Sequence, residues 1–457
     1  MPSPYTIWYQ EHQWTPLTSA GLSASLTRGM KSTLGFCLSE AVDIVSGGLN
    51  TCILFRQKEL DAAVDRCVEL VVDDPKWAGA FNPAMMDASH SLLDSTEKNA
   101  ASAKKAADAQ LADFNREFRD RIEHQYNFGL LPVLAESNEG ALSQRYYELV
   151  EPKIGSGNFA AVADLLAPSA PSAPTRQETE LLKLALWAKT ATLEKNPARM
   201  RAHFEKWEWL PFAFVGPAWP WADFQKMAER TLALPSTELS RRLNAAETVA
   251  TRVERHRLAL MGRFSFDAYE RALTHSISAF ASTKYQRKEN LCHAHYHYRL
   301  ILAQTAKRLG LSIPQARMLT PQETHDALME NDVPDLNERM VLAGYRYQNG
   351  AGTFLSAEEA RKIAAALSRT PVAGDVLSGK CACPGSANGR VRIVNTAKDA
   401  DAMQSGEILV SYATYPELVS AMRNAAAIVT DRGGVTCHAA VVSRELNIPC
   451  VIGTKHA

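Results

Sequence analysis

A β-branched run that ends at a Gly-Gly pair and restarts as a helix constrains this chain more than any other feature. Ala427-Ile-Val-Thr430 reads as a short strand, Gly433-Gly434 permits close backbone approach, and a helix-forming run opens at or near His438. That order puts an imidazole at a helix N-terminus, where unpaired N–H groups and the helix dipole favour an anion. A phosphate carried by such a histidine would be held by those groups, and a neutral imidazole is a competent nucleophile near pH 7. The same residues also suit a plain capping histidine in a strand–turn–helix unit.

The neighbourhood extends this unit into a domain. From Gly374 onward Gly and β-branched residues become frequent, and short apolar runs at 391–394, 407–411 and 449–452 read as further strands. Helical segments at 415–424 and 438–446 lie between them, which gives a small α/β domain of the β/β/α type over 381–457. Upstream the texture is helical. The segment Asp94–Gln125, free of Pro and Gly and alternating in charge, suits a long solvent-laced helix or a helix hairpin. Alternating Pro and small residues from Ala167 to Thr175 read as a linker or exposed loop. Helical periodicity resumes at Gln177. It is clearest from Phe280 to Leu309, closed by Gly310, and Ser356-Ala-Glu-Glu359 is a capping box before a helix ending near Ser368. The expected division is a helical region 1–165, a linker 166–176, a second helical region 177–370, a hinge 371–380 and the α/β domain 381–457.

Composition narrows the functional classes. The chain has 457 residues, a length that suits roughly two to four domains. Its 50 basic residues balance 50 acidic ones, which argues against nucleic acid or an anionic membrane as the main partner. No run approaches the ~20 apolar residues that span a bilayer, and the N-terminal residues lack the pattern of a signal peptide. Eight scattered cysteines without a CxxC pair read as reduced thiols, so a cytoplasmic location is expected.

The segment Thr430–Gly453 resembles the phosphohistidine swivelling domain of the phosphoenolpyruvate synthase and pyruvate phosphate dikinase family. The family pattern is met at Thr430, Asp431, Gly433, Gly434, Thr436, His438, Ala439, Ala440, Arg444, Glu445, Ile448, Pro449 and Gly453. Upstream, Pro384-Gly385-Ser-Ala-Asn-Gly389 and Thr414-Tyr-Pro416-Glu417 resemble two further family segments. The resemblance implies that His438 is transiently phosphorylated, with Gly433, Gly434, Thr436 and Ala439 around the phosphate. Thr436 could equally bond the turn backbone, Arg444 could pair with a carboxylate, and Cys437 reads as packing. Full-length relatives add an ATP-grasp nucleotide domain and a pyruvate-binding TIM barrel. The residues before the swivelling domain show no Walker A loop and no ATP-grasp texture, and only four residues follow Gly453. Neither domain is therefore expected here, and the swivelling domain itself is expected to be incomplete at its C-terminal end.

The helical region carries a more diffuse resemblance, at His203–Leu210, Gly216–Phe224, Tyr285–Glu289 and Leu319–Glu323, to relatives that phosphorylate other acceptors. Those relatives include rifampin phosphotransferase and the split phenylphosphate synthase type, in which the helical domain binds the acceptor. Arg287, Lys288 and Glu289 are candidates for handling the charge of a transferring phosphoryl group. His293 and His297, at i and i+4, share a helix face and are candidates for acceptor binding or the acceptor's base. Two histidines supply only half a tetrahedral zinc shell, and no metal is expected on this chain. Trp207 and Trp209 are candidates for an aromatic acceptor surface or for plain core.

These readings combine into a phosphotransferase component of a dikinase-like system. A separate ATP-grasp subunit, holding ATP and Mg2+, would phosphorylate His438, and the swivelling domain would deliver the group to a hydroxyl acceptor, aromatic on the strength of the Trp-rich region. The rival readings are a phosphocarrier or regulatory protein with no acceptor site, and an inactive docking scaffold. A closed apolar pocket lined by polar groups of the 285–300 helix would favour the first reading, and a solid helical core the carrier.

Overall fold

The computed structural model describes residues 5–11, 14–47, 50–156, 158–190, 197–367, 376–395, 397–414, 418–434, 437–454 and 457. Among them, strands β1 (Tyr5–Glu11), β2 (Ala41–Ser46), β3 (Asn50–Arg56), β4 (Leu342–Gln348) and β5 (Ala351–Phe354) form an antiparallel sheet in the order β1-β3-β2-β4-β5. The 1–165 and 177–370 regions are therefore one body, because β2 pairs directly with β4, Ala41 opposite Tyr347 and Ser46 opposite Leu342. Both regions also contribute to one continuous hydrophobic core. The expectation of helix throughout misses this sheet. β2 is buried along five of its six residues, so its AVDIVS run lacks the alternation that marks a half-buried strand.

Three long helices make the frame of the body: Pro75–Ser102, Asp108–Leu134 and Ala268–Leu309. The charged segment at 94–125 is a hairpin, not one helix. Its turn at 103–107 contains neither Gly nor Pro and is fixed from outside, by the Arg308 guanidinium donating to the Ala106 carbonyl at 2.9 Å. The long helix opens on an Asp267–Glu270 capping box and closes at Gly310, whose φ of +65° is the left-handed cap the sequence signals. Buried side chains join the frame: Ser276 Oγ donates to the Pro75 carbonyl at 2.6 Å, and Thr283 Oγ1 to Asn82 Oδ1 at 2.6 Å. The helix Ser137–Ile154 is tied in through Tyr146 and Thr274, whose hydroxyls lie 2.7 Å apart.

The Pro/Ala/Ser stretch is an anchored loop, not a free linker. Ser169 N–H donates to Ser282 Oγ at 3.2 Å, Arg257 Nε donates to the Leu165 carbonyl at 2.8 Å, and the helix Ala173–Thr190 begins within the stretch. Pro174 fits there because the first turn of a helix needs no donor from it.

The second sheet contains β6 (Lys380–Cys383), β7 (Val391–Ile393), β8 (Ile408–Ser411), β9 (Ala427–Thr430) and β10 (Cys450–Ile452), in the order β6-β10-β9-β8-β7. β7 to β10 run parallel and β6 antiparallel to β10. The helices Val419–Asn424 and His438–Leu446 pack on it around a separate small core, so the chain is a large, mostly helical region followed by a small α/β domain. Residues 371–375 of the expected hinge, Pro416, Glu417, Thr436 and His456 lie outside the described residues. Among the described residues no helix is long and apolar enough to cross a membrane.

Asp43, in the middle of β2, is fully buried and accepts from Ser23 Oγ at 3.0 Å, and burial pushes its carboxyl up to about 7. The folded chain thus holds a proton on Asp43 that the unfolded chain releases near pH 4. The native state binds more protons across that window, so stability falls as pH rises from about 4 to about 7. Asp43→Asn keeps the acceptor and removes the titration. Urea unfolding of the two proteins should diverge by up to roughly 1.4 kcal/mol per pH unit in this window, in favour of the variant at higher pH. Parallel stability curves would contradict a buried, titrating Asp43.

Candidate active site

β9 delivers the chain to its Gly-Gly turn at a fixed point. Asp431, just past the strand, is buried and accepts from Thr454 Oγ1 at 3.1 Å, while Thr454 N–H donates to the Thr430 carbonyl at 3.1 Å. Gly433 has φ +130°, and a Cβ there would lie 2.6 Å from Cys437 Sγ, so only glycine fits. Cys437 N–H donates to the Gly434 carbonyl at 2.9 Å, and its thiol, which burial keeps protonated, accepts from Ala440 N–H as the helix cap. His438 follows as the first helical residue. Ala439 is buried in the domain's own core, so it contributes its backbone and not its side chain.

His438 Nδ1 lies 2.8 Å from Thr414 Oγ1. With Nδ1–H donating to that hydroxyl, Nε2 carries the free lone pair. Burial, reinforced by the Lys288 charge, holds the imidazole down at about 3 and therefore neutral throughout the ordinary pH range. A neutral ring with a fixed tautomer is what a nucleophile for phosphoryl transfer requires.

The imidazole and Cys437 line a cavity of about 240 Å³ whose remaining wall belongs to the helical body. Its apolar lining includes Trp8, Trp14, Tyr126, Ile277 and Phe280. Its polar lining is Glu136, Lys284, Tyr285, Arg287 and Lys288 together with Cys437 and His438. The cations stand at i, i+3 and i+4 of the long helix and share one face with Ile277, Phe280 and Ala281. Arg287 is 7% exposed and lies 4.7 Å over the Tyr126 ring, and its Nε and Nη1 are buried without a hydrogen-bond partner among the described residues. Gly129 makes room for it, since a Cβ there would meet Arg287 Cδ at 2.8 Å. Lys284 is pushed down by burial, against the opposing charge of Glu136. A buried guanidinium with two donors unpartnered among the described residues, beside two lysines, suits an anion.

The structure brings Arg287 and Lys288 to His438 and places the other helical candidates elsewhere. Glu289, His293 and His297 lie on the opposite side of the same helix, more than about 120° around from Lys284 at 100° per residue. Glu289 accepts from Ala173 N–H and pairs with Arg176 at 3.0 Å, which occupies its carboxylate in capping the 173–190 helix. His293 and His297 face each other with Nε2 atoms 3.2 Å apart, and His293 stacks on Trp209 at 4.4 Å. Trp207 Nε1 donates to Glu180 at 2.8 Å. These four rings form their own cluster and do not line the cavity. Among the described residues no group of three or more His, Cys, Asp or Glu could hold a metal ion. Gly434 is buried at the seam between the domains, where a Cβ on Gly140 would come within 3.1 Å of its Cα. Sequence reasoning missed Glu136 and Lys284, and it picked out Thr414 only as part of a family-like segment without a role at the imidazole. The i, i+3, i+4 spacing of 284, 287 and 288 could have revealed Lys284, whereas nothing local marks Glu136.

The fold and the site together define a histidine-bearing α/β domain seated on a helical body. Residues 403–457 match the family model described as the PEP-utilising enzyme, mobile domain. The chain is 41% identical over 138 residues to a probable phosphoenolpyruvate synthase of Methanothermobacter thermautotrophicus, which covers 30% of this chain and 18% of that protein. It is 55% identical over 82 residues to a phosphoenolpyruvate synthase of Pyrococcus furiosus, which covers 18% of this chain and 10% of that one. The chain thus spans less than a fifth of the length of these relatives. Its C-terminal residues are thus similar to the mobile, histidine-bearing domain of PEP-utilising enzymes.

The Thr414 contact gives a direct test. Chemical phosphorylation of His438 with phosphoramidate should slow by on the order of 10-fold in Thr414→Val, the equivalent of one lost hydrogen bond of about 1.5 kcal/mol. Thr414→Ser should retain the rate. Equal rates in all three proteins, followed by intact mass, would remove Thr414 as the tautomer-fixing residue.

Proposed function

We propose that this chain is the phosphoryl-transfer component of a dikinase-like system, in which His438 receives phosphate that originates from ATP and donates it to a hydroxyl-bearing acceptor in the cavity of the helical body. The observation that carries this reading is the shared cavity: the imidazole, three cations and an apolar, aromatic wall meet in one space. A pure phosphocarrier has no use for such a pocket inside its own chain. The wall of Trp8, Trp14, Tyr126 and Phe280 favours an aromatic acceptor, for which an apolar cleft with a few convergent polar groups is the ordinary solution.

In the proposed sequence ATP and Mg2+ sit on a separate ATP-grasp subunit, which supplies the phosphoryl group. On this chain, the Nε2 lone pair forms the bond to phosphorus as the donor's P–O bond breaks and its electron pair departs with the nucleotide-side oxygen, while Nδ1–H stays bonded to Thr414. With the domain seated on the body, Lys284, Arg287 and Lys288 face the phosphoryl oxygens and stabilise the charge of a loose transition state. The acceptor oxygen attacks, the P–Nε2 bond breaks, and its electron pair returns to a neutral imidazole. The apolar wall keeps bulk water from competing.

Incubation with labelled ATP and a candidate ATP-grasp partner should give an acid-labile, base-stable label on the wild-type chain and none on His438→Ala. Equal labelling of the two proteins would defeat the assignment of His438. Labelling by ATP without a partner, or by phosphoenolpyruvate alone, would defeat the two-subunit route.

A further inference from the structure

The proposed transfer needs a group to take the acceptor's proton, and the residues suggested by sequence for that task, His293 and His297, are not on the cavity wall. Glu136 is. It directly precedes the 137–154 helix, and it is the carboxylate among the residues that line the cavity with His438. One oxygen, Oε1, accepts from Ser143 Oγ at 2.7 Å, which fixes the rotamer. The other, Oε2, is buried with no hydrogen-bond partner among the described residues. Its place at the domain seam follows from Gly140, φ +89°, where a Cβ would stand 3.3 Å from Oε2 and 3.1 Å from the Gly434 Cα. A glycine is needed there for the carboxylate and the swivelling domain's turn to approach each other.

We propose that Glu136 is the general base that takes the proton from the acceptor hydroxyl as it attacks the phosphoryl group on His438. The inference rests on the function proposed above. The step balances within the site. The acceptor O–H bond breaks and its proton goes to Oε2. The acceptor oxygen forms the new bond to phosphorus, the P–Nε2 bond breaks, and the pair remains on Nε2. The product is a phosphate monoester, a protonated Glu136 and a neutral His438 still bonded to Thr414. Glu136 returns its proton to water when the domain lifts away.

The charges around the carboxylate suit the task. Burial raises its proton affinity, while Lys284 on the long helix, Lys380 on β6 and the Ser143 hydroxyl oppose that rise. A carboxylate more basic than usual is a better acceptor for a hydroxyl proton. Lys284 is the rival base, being pushed down by burial and by Arg287. A phosphoryl dianion on His438 would hold it in the charged form, as a partner of the phosphate.

The test uses the full chain phosphorylated on His438 with phosphoramidate, and follows loss of the group to water and to added phenol from about pH 5 to pH 9. Wild type should show a rising limb on the acid side for both acceptors. Glu136→Gln should lose that limb and slow both reactions about 100-fold or more, with the phosphohistidine still formed. Glu136→Asp should keep the limb at an intermediate rate, and it carries the test if the glutamine variant fails to fold. A Glu136→Gln protein with wild-type rates and pH profile overturns the proposal, as does a Glu136→Asp protein at the full wild-type rate. Loss of the limb in Lys284→Met, with Glu136→Gln unchanged, overturns it in favour of the lysine. If wild type transfers nothing to phenol but loss to water still needs Glu136, the base stands and the aromatic-acceptor reading falls.

Discussion

The close approach of Gly434 to Gly140 is the contact on which the site depends. It lets the turn that carries His438 sit flush on the helical body, so that an imidazole from one core and three cations from another line a single cavity. Arg432, which donates to the Ile7 carbonyl at 3.4 Å, ties the same turn to β1. Without this seam, Lys284, Arg287 and Lys288 would share the helical body's cavity wall with Glu136 but would not face His438. With it, the imidazole and the cations share one space, and in the proposed function a dianion on His438 would meet donors already in place, the preorganisation that phosphoryl transfer needs.

The swivelling domain was legible because its local signals agree. Short β-branched runs alternate with helix formers, and the glycines fall where φ must be positive or backbones must meet. The strands expected at 391–394, 407–411, 427–430 and 449–452 are found within a residue or two of those limits. The ends of the long helix were legible in part: its Gly310 cap was read correctly, while its start at Ala268 lies well before Phe280. β6 went unread, since four residues with two cysteines carry no clear period.

The helical body was less legible because its key facts are tertiary. β2 and β4 meet across most of the chain, and buried strands lose their alternation. The turn at 103–107 is held by Arg308, far away in sequence. In the site, Arg287 and Lys288 could be picked out as charges beside a resemblance, but residue type alone could not tell them from Glu289 and His297. Helical phase decides the matter: the cations share the cavity face, while Glu289 and the histidine pair face a different set of neighbours. Glu136 reaches the site from another helix altogether and left no local trace.

Separating uptake of the phosphoryl group from its delivery tests the shared site most directly. Arg287→Met can be loaded on His438 beside wild type, and the decay of phosphohistidine followed by rapid quench with an acceptor present. Uptake at the wild-type rate with delivery slowed 100-fold or more is the result required if the buried guanidinium acts on the group in transit. Delivery at the wild-type rate would show that His438 and the cavity it faces do not work as one site.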